Sequence, residues 1–191
     1  MTNTQFFTDG TADLPHEYAQ RHDLRVIGLS FLLDGVEYVG DNDPARPGYL
    51  TPESFYAKMR QGATPTTSLI NQQTFYDAFE PVLREGRDVF FIAFSSGLSG
   101  SYFNATRAAE ELVAKYPGRR VHVVDTLCAS LGEGMMVHLA MQQHEAGMDD
   151  DALVQYILDT RLRIHHWFTV DDLVYLKRGG RVSGAAAAIG T

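Results

Sequence analysis

The run Val89-Phe90-Phe91-Ile92-Ala93, followed at once by Phe94-Ser95-Ser96-Gly97-Leu98-Ser99-Gly100-Ser101-Tyr102, constrains this chain more than any other stretch. An unbroken apolar run rich in aromatic and β-branched residues reads as a strand buried on both faces, and such strands belong to parallel sheets covered by helices. The serines and glycines form a strand-to-helix turn, and the residues from Asn104 to Leu112 are good helix formers. A turn of this kind sets hydroxyls and backbone N–H groups at the carboxyl end of a strand, the edge where open α/β sheets bind ligands. The positive end of the helix dipole favours an anion there. The stretch therefore predicts a site for a small negatively charged group, built from neutral donors. A plain turn with an N-cap is the competing reading. A second hydroxyl cluster, Thr64-Pro65-Thr66-Thr67-Ser68, also ahead of a helical pattern, favours the ligand site.

Strand and helix patterns alternate along the chain. Gln5 to Thr8 reads as a strand, and a polar loop then leads to a helix opening at Asp13 or Pro15. Arg25 to Ser30 is a second strand, and Asp34-Gly35 marks a tight hairpin turn. Thr51-Pro52-Glu53 starts a helix. Asn71 to Glu85 carries Phe75, Ala78, Phe79 and Val82 at helical spacing. Arg120 to Val124 is another buried strand, closed by Asp125-Thr126; helices follow from Gly132 to His144 and from Asp149. Asp149-Asp150-Asp151 is read as helix-start acids rather than a metal site. The pattern predicts an α/β fold, a mainly parallel sheet with helices on both faces. A composition shift near Gly147 to Asp151 predicts one domain over 1–148 and the start of a second, smaller α/β domain, truncated, over 149–191. The apolar, uncapped end Ala185 to Thr191 reads as a chain cut before its partner element.

Composition narrows the function classes. A net charge of -8 argues against nucleic acid as a partner. The single cysteine, Cys128, excludes an internal disulfide framework and suits a reducing cytoplasm. No signal peptide opens the chain, and no apolar run reaches the about 20 residues of a membrane helix. A nucleophile elbow would need glycine where Ser101 stands in Gly97-Leu98-Ser99-Gly100-Ser101. Neither a Walker A loop nor a complete dinucleotide fingerprint is present, and the histidines lack zinc spacing. A serine-dependent acyl hydrolase or transferase using Ser96 or Ser99 is the alternative to a binding protein. Asp9 and Asp125-Thr126 each end a strand and are expected to share the edge with Ser95 and Ser96, holding loop amides or orienting hydroxyls. Lys177 to Arg181 could bring positive charge to an anion.

Taken together, Thr8 to Pro15 (TDGTADLP), Thr64 to Ser68 (TPTTS), Phe94 to Tyr102 (FSSGLSGSY), Val123 to Thr126 (VVDT) and Leu176 to Ser183 (LKRGGRVS) resemble the DegV family of bacterial fatty-acid-binding proteins, in order and spacing. The resemblance implies a long-chain fatty acid held in an apolar tunnel between two α/β domains, with the carboxylate at the hydroxyl-bearing end. It also implies no catalysis by the chain itself and no cofactor beyond the bound lipid; residue spacing and the lack of a long apolar run lead to the expectation of no metal and no stable membrane insertion. A fatty-acid kinase partner, forming acyl-phosphate for phospholipid synthesis, is implied as well. The resemblance maps the carboxylate-binding groups onto Thr66-Thr67-Ser68 and Ser95-Ser96, with Gly97, Ser99 and Arg181 completing the expected set; Thr67, Ser68 and Ser96 are the expected direct contacts. Two departures stand out: the family more often carries serine where Gly10 stands, and it continues well beyond a GGR-type turn.

Overall fold

The computed structural model describes residues 3–170 and 173–180. In chain order the strands and helices are β1 (Thr4–Asp9), α1 (His16–Arg21), β2 (Leu24–Ile27), β3 (Leu29–Leu33), β4 (Val36–Gly40), α2 (Pro52–Arg60), β5 (Thr66–Thr67), α3 (Gln72–Arg84), β6 (Asp88–Ala93), α4 (Ser101–Lys115), β7 (Val121–Asp125), α5 (Leu131–Glu145), α6 (Asp150–Thr160) and α7 (Val174–Arg178). Short helical turns add Gly10–Ala12 and Arg161–Arg163.

The main sheet runs β2-β1-β6-β7 and is parallel throughout, with Phe6 opposite Leu24 and Phe90, and Phe91 opposite Val123. Because side chains alternate along a strand, each central strand feeds two cores. Phe6, Phe90, Ile92 and Val124 pack on one face against Met136, Val137 and Ala140 of α5 and Leu153 and Ile157 of α6. Phe7, Val89 and Phe91 pack on the other against Phe75, Phe79 and Val82 of α3 and Ala105, Ala108 and Leu112 of α4. Phe91 is wholly buried and touches the rings of Phe75 and Phe79. Truncating such a ring to alanine costs about 3–5 kcal/mol, from lost transfer energy and the cavity left behind. The α/β expectation, a parallel sheet with helices on both faces, is what the molecule shows.

The second strand differs from its expected course. Arg25 to Ser30 does not run straight: it breaks at Gly28, where a Cβ would lie 2.4 Å from the Val39 side chain. β2 stays in the main sheet, whereas β3 leaves it to build a small antiparallel sheet in the order β4-β3-β5. The Asp34-Gly35 turn has positive φ at both residues, 53° and 79°, as a two-residue hairpin of the primed type requires. α2 closes on this sheet through an edge-to-face contact of Phe55 with Phe31 at 5.4 Å. The end of β4 meets the first loop at Gly10, where a Cβ would fall 1.7 Å from the Gly40 carbonyl oxygen.

Caps follow the sequence signals. Asn71 accepts from Thr74 N–H at 2.9 Å and Asp149 from Ala152 N–H at 2.9 Å. Asp150 is buried and accepts from the Thr4 hydroxyl at 2.6 Å, tying α6 to the start of β1. The boundary expected at 148/149 thus falls at the N-cap of a helix whose inner face shares the core of β1, β6 and α5. Trp167 to Val170, expected as a short apolar run, has no regular structure, and Trp167 is almost fully exposed at 93%.

Candidate functional site

Three parallel strands end at one edge, and their loops are laced together there. Asp9, at the end of β1, accepts from Phe94 N–H at 3.0 Å just past β6. Thr126, just past β7, donates its hydroxyl to the Ala93 carbonyl at 2.7 Å and accepts from Cys128 N–H at 3.1 Å. Ser95 N–H donates to the Cys128 carbonyl at 3.0 Å. The acids expected at this edge hold loop amides in place.

Within the loop from β6 to α4 each serine has a job. Ser95 is buried, and its hydroxyl accepts from Gly97 N–H at 3.2 Å, turning the chain. Ser96 donates both its N–H, at 3.1 Å, and its hydroxyl, at 2.5 Å, to the two oxygens of Asp125. The Ser99 hydroxyl lies 2.9 Å from that of Ser101 and accepts from Ser101 N–H at 3.2 Å. The side-chain partner of Ser96 is thus the Asp125 carboxylate, and that of Ser99 is the Ser101 hydroxyl.

The upstream cluster reaches the same loop. Thr66 and Thr67 form β5, paired with Leu32 and Phe31, and Ser68 N–H donates to the Ser30 carbonyl at 2.9 Å. All three side chains are exposed. The next buried residue, Ile70, is clasped by the first turns of α4: its N–H donates to the Ser101 hydroxyl at 3.0 Å, and its carbonyl accepts from the Asn104 amide at 2.9 Å. Leu69 lies over Gly100, close enough that a Cβ there would sit 3.2 Å from its Cδ2. The sequence suggested neither β5 nor this clasp, because a two-residue strand has no periodicity to detect. Arg181, the last of the expected binding residues, lies outside the described residues.

Apolar side chains flank this edge. Leu69, Leu98 and Phe103 are half-exposed beside the serine loop, and Leu127 and Leu131 are exposed beyond β7. Two open clefts of about 520 and 490 Å³ lie elsewhere: one is lined by Gln72, Gln73, Tyr76 and Glu111, the other by residues of β2, β3 and α3.

A buried acid pair, only half visible in the sequence, lies behind the edge. Glu133 of α5 is fully buried, and its Oε2 lies 2.7 Å from the Thr11 hydroxyl, which also contacts Asp9 Oδ1. A hydroxyl has one proton, so Thr11 donates to only one of these acids, and the other contact requires a protonated carboxyl. Burial pushes Glu133 well above the usual carboxylate range, and the neighbouring Asp9 pushes it further. Burial also raises Asp9, but it accepts from Phe94 N–H, Thr11 N–H and the Thr11 hydroxyl, which oppose the shift. The proton therefore resides on Glu133, which donates to Thr11, and Thr11 donates to Asp9. In sequence Glu133 looks like an ordinary first-turn acid. Cys128 is likewise buried, and burial pushes its thiol up to about 11, which makes it an inert packing residue.

A family model described as "Uncharacterised protein, DegV family" matches residues 3–191. The chain is 41% identical to a DegV domain-containing protein of Clostridium perfringens over 191 residues, covering all of this chain and 64% of that protein. It is 36% identical to a DegV domain-containing protein of Streptococcus pyogenes, covering 65% of it. Among solved structures, a fatty-acid-binding DegV family protein of Thermus thermophilus superposes with a TM-score of 0.81 at 38% identity, over 98% of this chain and 64% of that one. A stearic-acid-binding protein of Eubacterium ventriosum does so with a TM-score of 0.82 at 26% identity, over 100% of this chain and 64% of that one. The chain thus spans slightly less than two thirds of the length of these relatives.

Proposed function

Because this chain belongs to the DegV family over nearly its whole length, we propose that it binds a long-chain fatty acid, with the head group on the rim formed by Thr66, Thr67, Ser68, Ser95, Ser96, Gly97 and Ser99. The observation that carries the reading is the clasp on Ile70. It joins the strand bearing the threonines to the loop bearing the serines, so that hydroxyls from two separate segments serve one rim. Half-exposed Leu69, Leu98 and Phe103 beside the rim suit the first methylenes of an acyl chain. Each methylene buried contributes about 0.8 kcal/mol, so a dozen supply about 10 kcal/mol and the polar end need only satisfy the head group. Neutral hydroxyls do so without the shielding an arginine clamp would impose, which leaves the carboxyl open to a phosphoryl donor. In this reading the protein presents the acid to a fatty-acid kinase, and Lys177 and Arg178, in the last turn of α7, face the tunnel mouth or that partner. The second, lipid-enclosing unit takes up after the Arg161–Arg163 turn rather than at residue 149, since α6 belongs to the first core.

The test is mass spectrometry of lipid extracted from the natively purified full-length protein. A long-chain acid at one per protein is expected, with occupancy lost in a Thr67→Ala, Ser96→Ala double variant that keeps its fold. A delipidated protein that takes up no fatty acid would overturn the reading.

A further inference from the structure

Asp125 is the hub of the loop after β7. Its Oδ1 accepts from Ser96 N–H and from Leu127 N–H, each at 3.1 Å, and its Oδ2 accepts from the Ser96 hydroxyl at 2.5 Å. That last distance is typical of a hydroxyl donating to a carboxylate. Leu127 is held at a φ of 52°, and Arg161 Nη1 donates to the Asp125 backbone carbonyl at 2.8 Å, so the hub is fixed from both sides. The only proton of the Ser96 hydroxyl is therefore spent inward, and its lone pairs are what it can offer outward. The hydroxyls of Thr66, Thr67 and Ser68 have no hydrogen-bond partner among the described residues and keep their protons to give.

We infer that Asp125 fixes Ser96 as a hydrogen-bond acceptor, so that the rim takes its ligand's head group as the neutral carboxylic acid rather than as the carboxylate. This rests on the fatty-acid reading above. An un-ionised carboxyl presents one donor and one carbonyl acceptor; Ser96 matches the first, and the free hydroxyls of β5 and Ser68 match the second. A carboxylate would instead set two acceptors against each other at Ser96, beside the negative charge of Asp125. Among the described residues, the charged and titratable groups that approach the hub are Arg161, Asp9, Glu133, Cys128, His166 and Asp13. Arg161 approaches from the turn after α6, and its Nη1 is committed to a backbone oxygen. Asp9 lies behind at the end of β1, and Glu133 of α5 acts on Cys128 across the same loop. His166 accepts from Ala129 N–H at 3.3 Å, and Asp13 accepts from Ser130. Asp125 is thus a positioning residue, acting on the ligand through Ser96.

The test is NMR of palmitic acid labelled with 13C at the carboxyl carbon, bound to the delipidated full-length protein and titrated from about pH 5.5 to about pH 8.5, above the ordinary carboxyl range. The bound carbon is expected to keep the shift of the protonated acid through neutral pH, and affinity should fall by up to about tenfold per pH unit as free ligand ionises. In Asp125→Asn the amide oxygen still accepts from the two N–H groups, but the amide nitrogen donates to Ser96, whose own proton turns outward. The bound head group should then ionise near its solution value, and affinity at alkaline pH should rise above that of the native protein. A loosened loop could not produce that gain. An ionised carboxyl in the native complex at neutral pH, or identical titrations for native protein and variant, would overturn the inference and leave the fatty-acid reading standing. Absence of any bound signal at every pH would overturn both. Should Asp125→Asn fail to fold, the native titration decides alone.

Discussion

Thr66, Thr67 and Ser68 stand exposed on a two-residue strand with no side-chain hydrogen bond among the described residues, whereas Ser95, Ser96, Ser99 and Ser101 are each engaged with a loop amide, a carboxylate or one another. The two clusters look alike in sequence, as short runs of hydroxyls ahead of a helix. They differ because one lies on the outer edge of a hairpin sheet and the other where three buried strands end. A hydroxyl beside unpaired loop amides is drawn into satisfying them, since leaving such groups bare costs about 1–3 kcal/mol each. A hydroxyl on an exposed edge has only water to lose. The buried cluster therefore gives shape and the exposed one gives free donors.

Substitutions should separate these roles. The largest effect is expected at Asp9→Ala, which strips Phe94 N–H and Thr11 N–H of their shared acceptor. A loss of about 2–4 kcal/mol in urea unfolding, with weakened ligand binding, would follow from two unsatisfied amides at a buried edge. Ser101→Ala leaves Ile70 N–H without its partner and should cost about 1–3 kcal/mol. Hydrogen exchange should show Ile70 deprotected while β6 stays closed. If Ile70 remains protected, the clasp does not join the clusters. Glu133→Gln acts on the proton rather than the shape. The folded state keeps that proton to higher pH than the unfolded chain does, so its stabilising effect is full below about pH 4.5, the ordinary carboxyl value, and wanes as pH rises towards the raised folded value. The glutamine variant should show a flatter stability profile, raised on the alkaline side, in unfolding curves taken across pH. The smallest effect on folding is expected at Thr66→Val, within about 0.5 kcal/mol because the side chain is exposed, so any fall in fatty-acid affinity there reports ligand contact.

The contrast also marks what the sequence could disclose. Val89 to Ala93 announced a central strand because burial on both faces leaves an unbroken apolar run. Arg120 to Val124, expected as another buried strand, instead forms the edge strand β7, in which only Val124 is buried. The helix from Asn71 was marked by the helical spacing of Phe75, Ala78, Phe79 and Val82, and the one from Asp149 by its helix-start acids. The serine loop and its acids could be placed at the strand ends because parallel strands put their carboxyl ends together. The clasp on Ile70 and the burial of Glu133 stayed hidden. Both arise from contacts between distant segments, Ile70 with Ser101 and Glu133 with Thr11, whose residues look locally ordinary. Gly28 hid the passage between two sheets inside what read as one strand, since the crowding that demands glycine comes from Val39.

Where Gly10 stands, the backbone of β4 presses so near that even the smallest side chain would push the hairpin outward. That hairpin carries β5, and with it Thr66 and Thr67, on its opposite border. A methyl group added beside β1 would thus be felt as a displacement of the threonines two strands away, which makes residue 10 the fulcrum of a lever rather than a spacer in a loop.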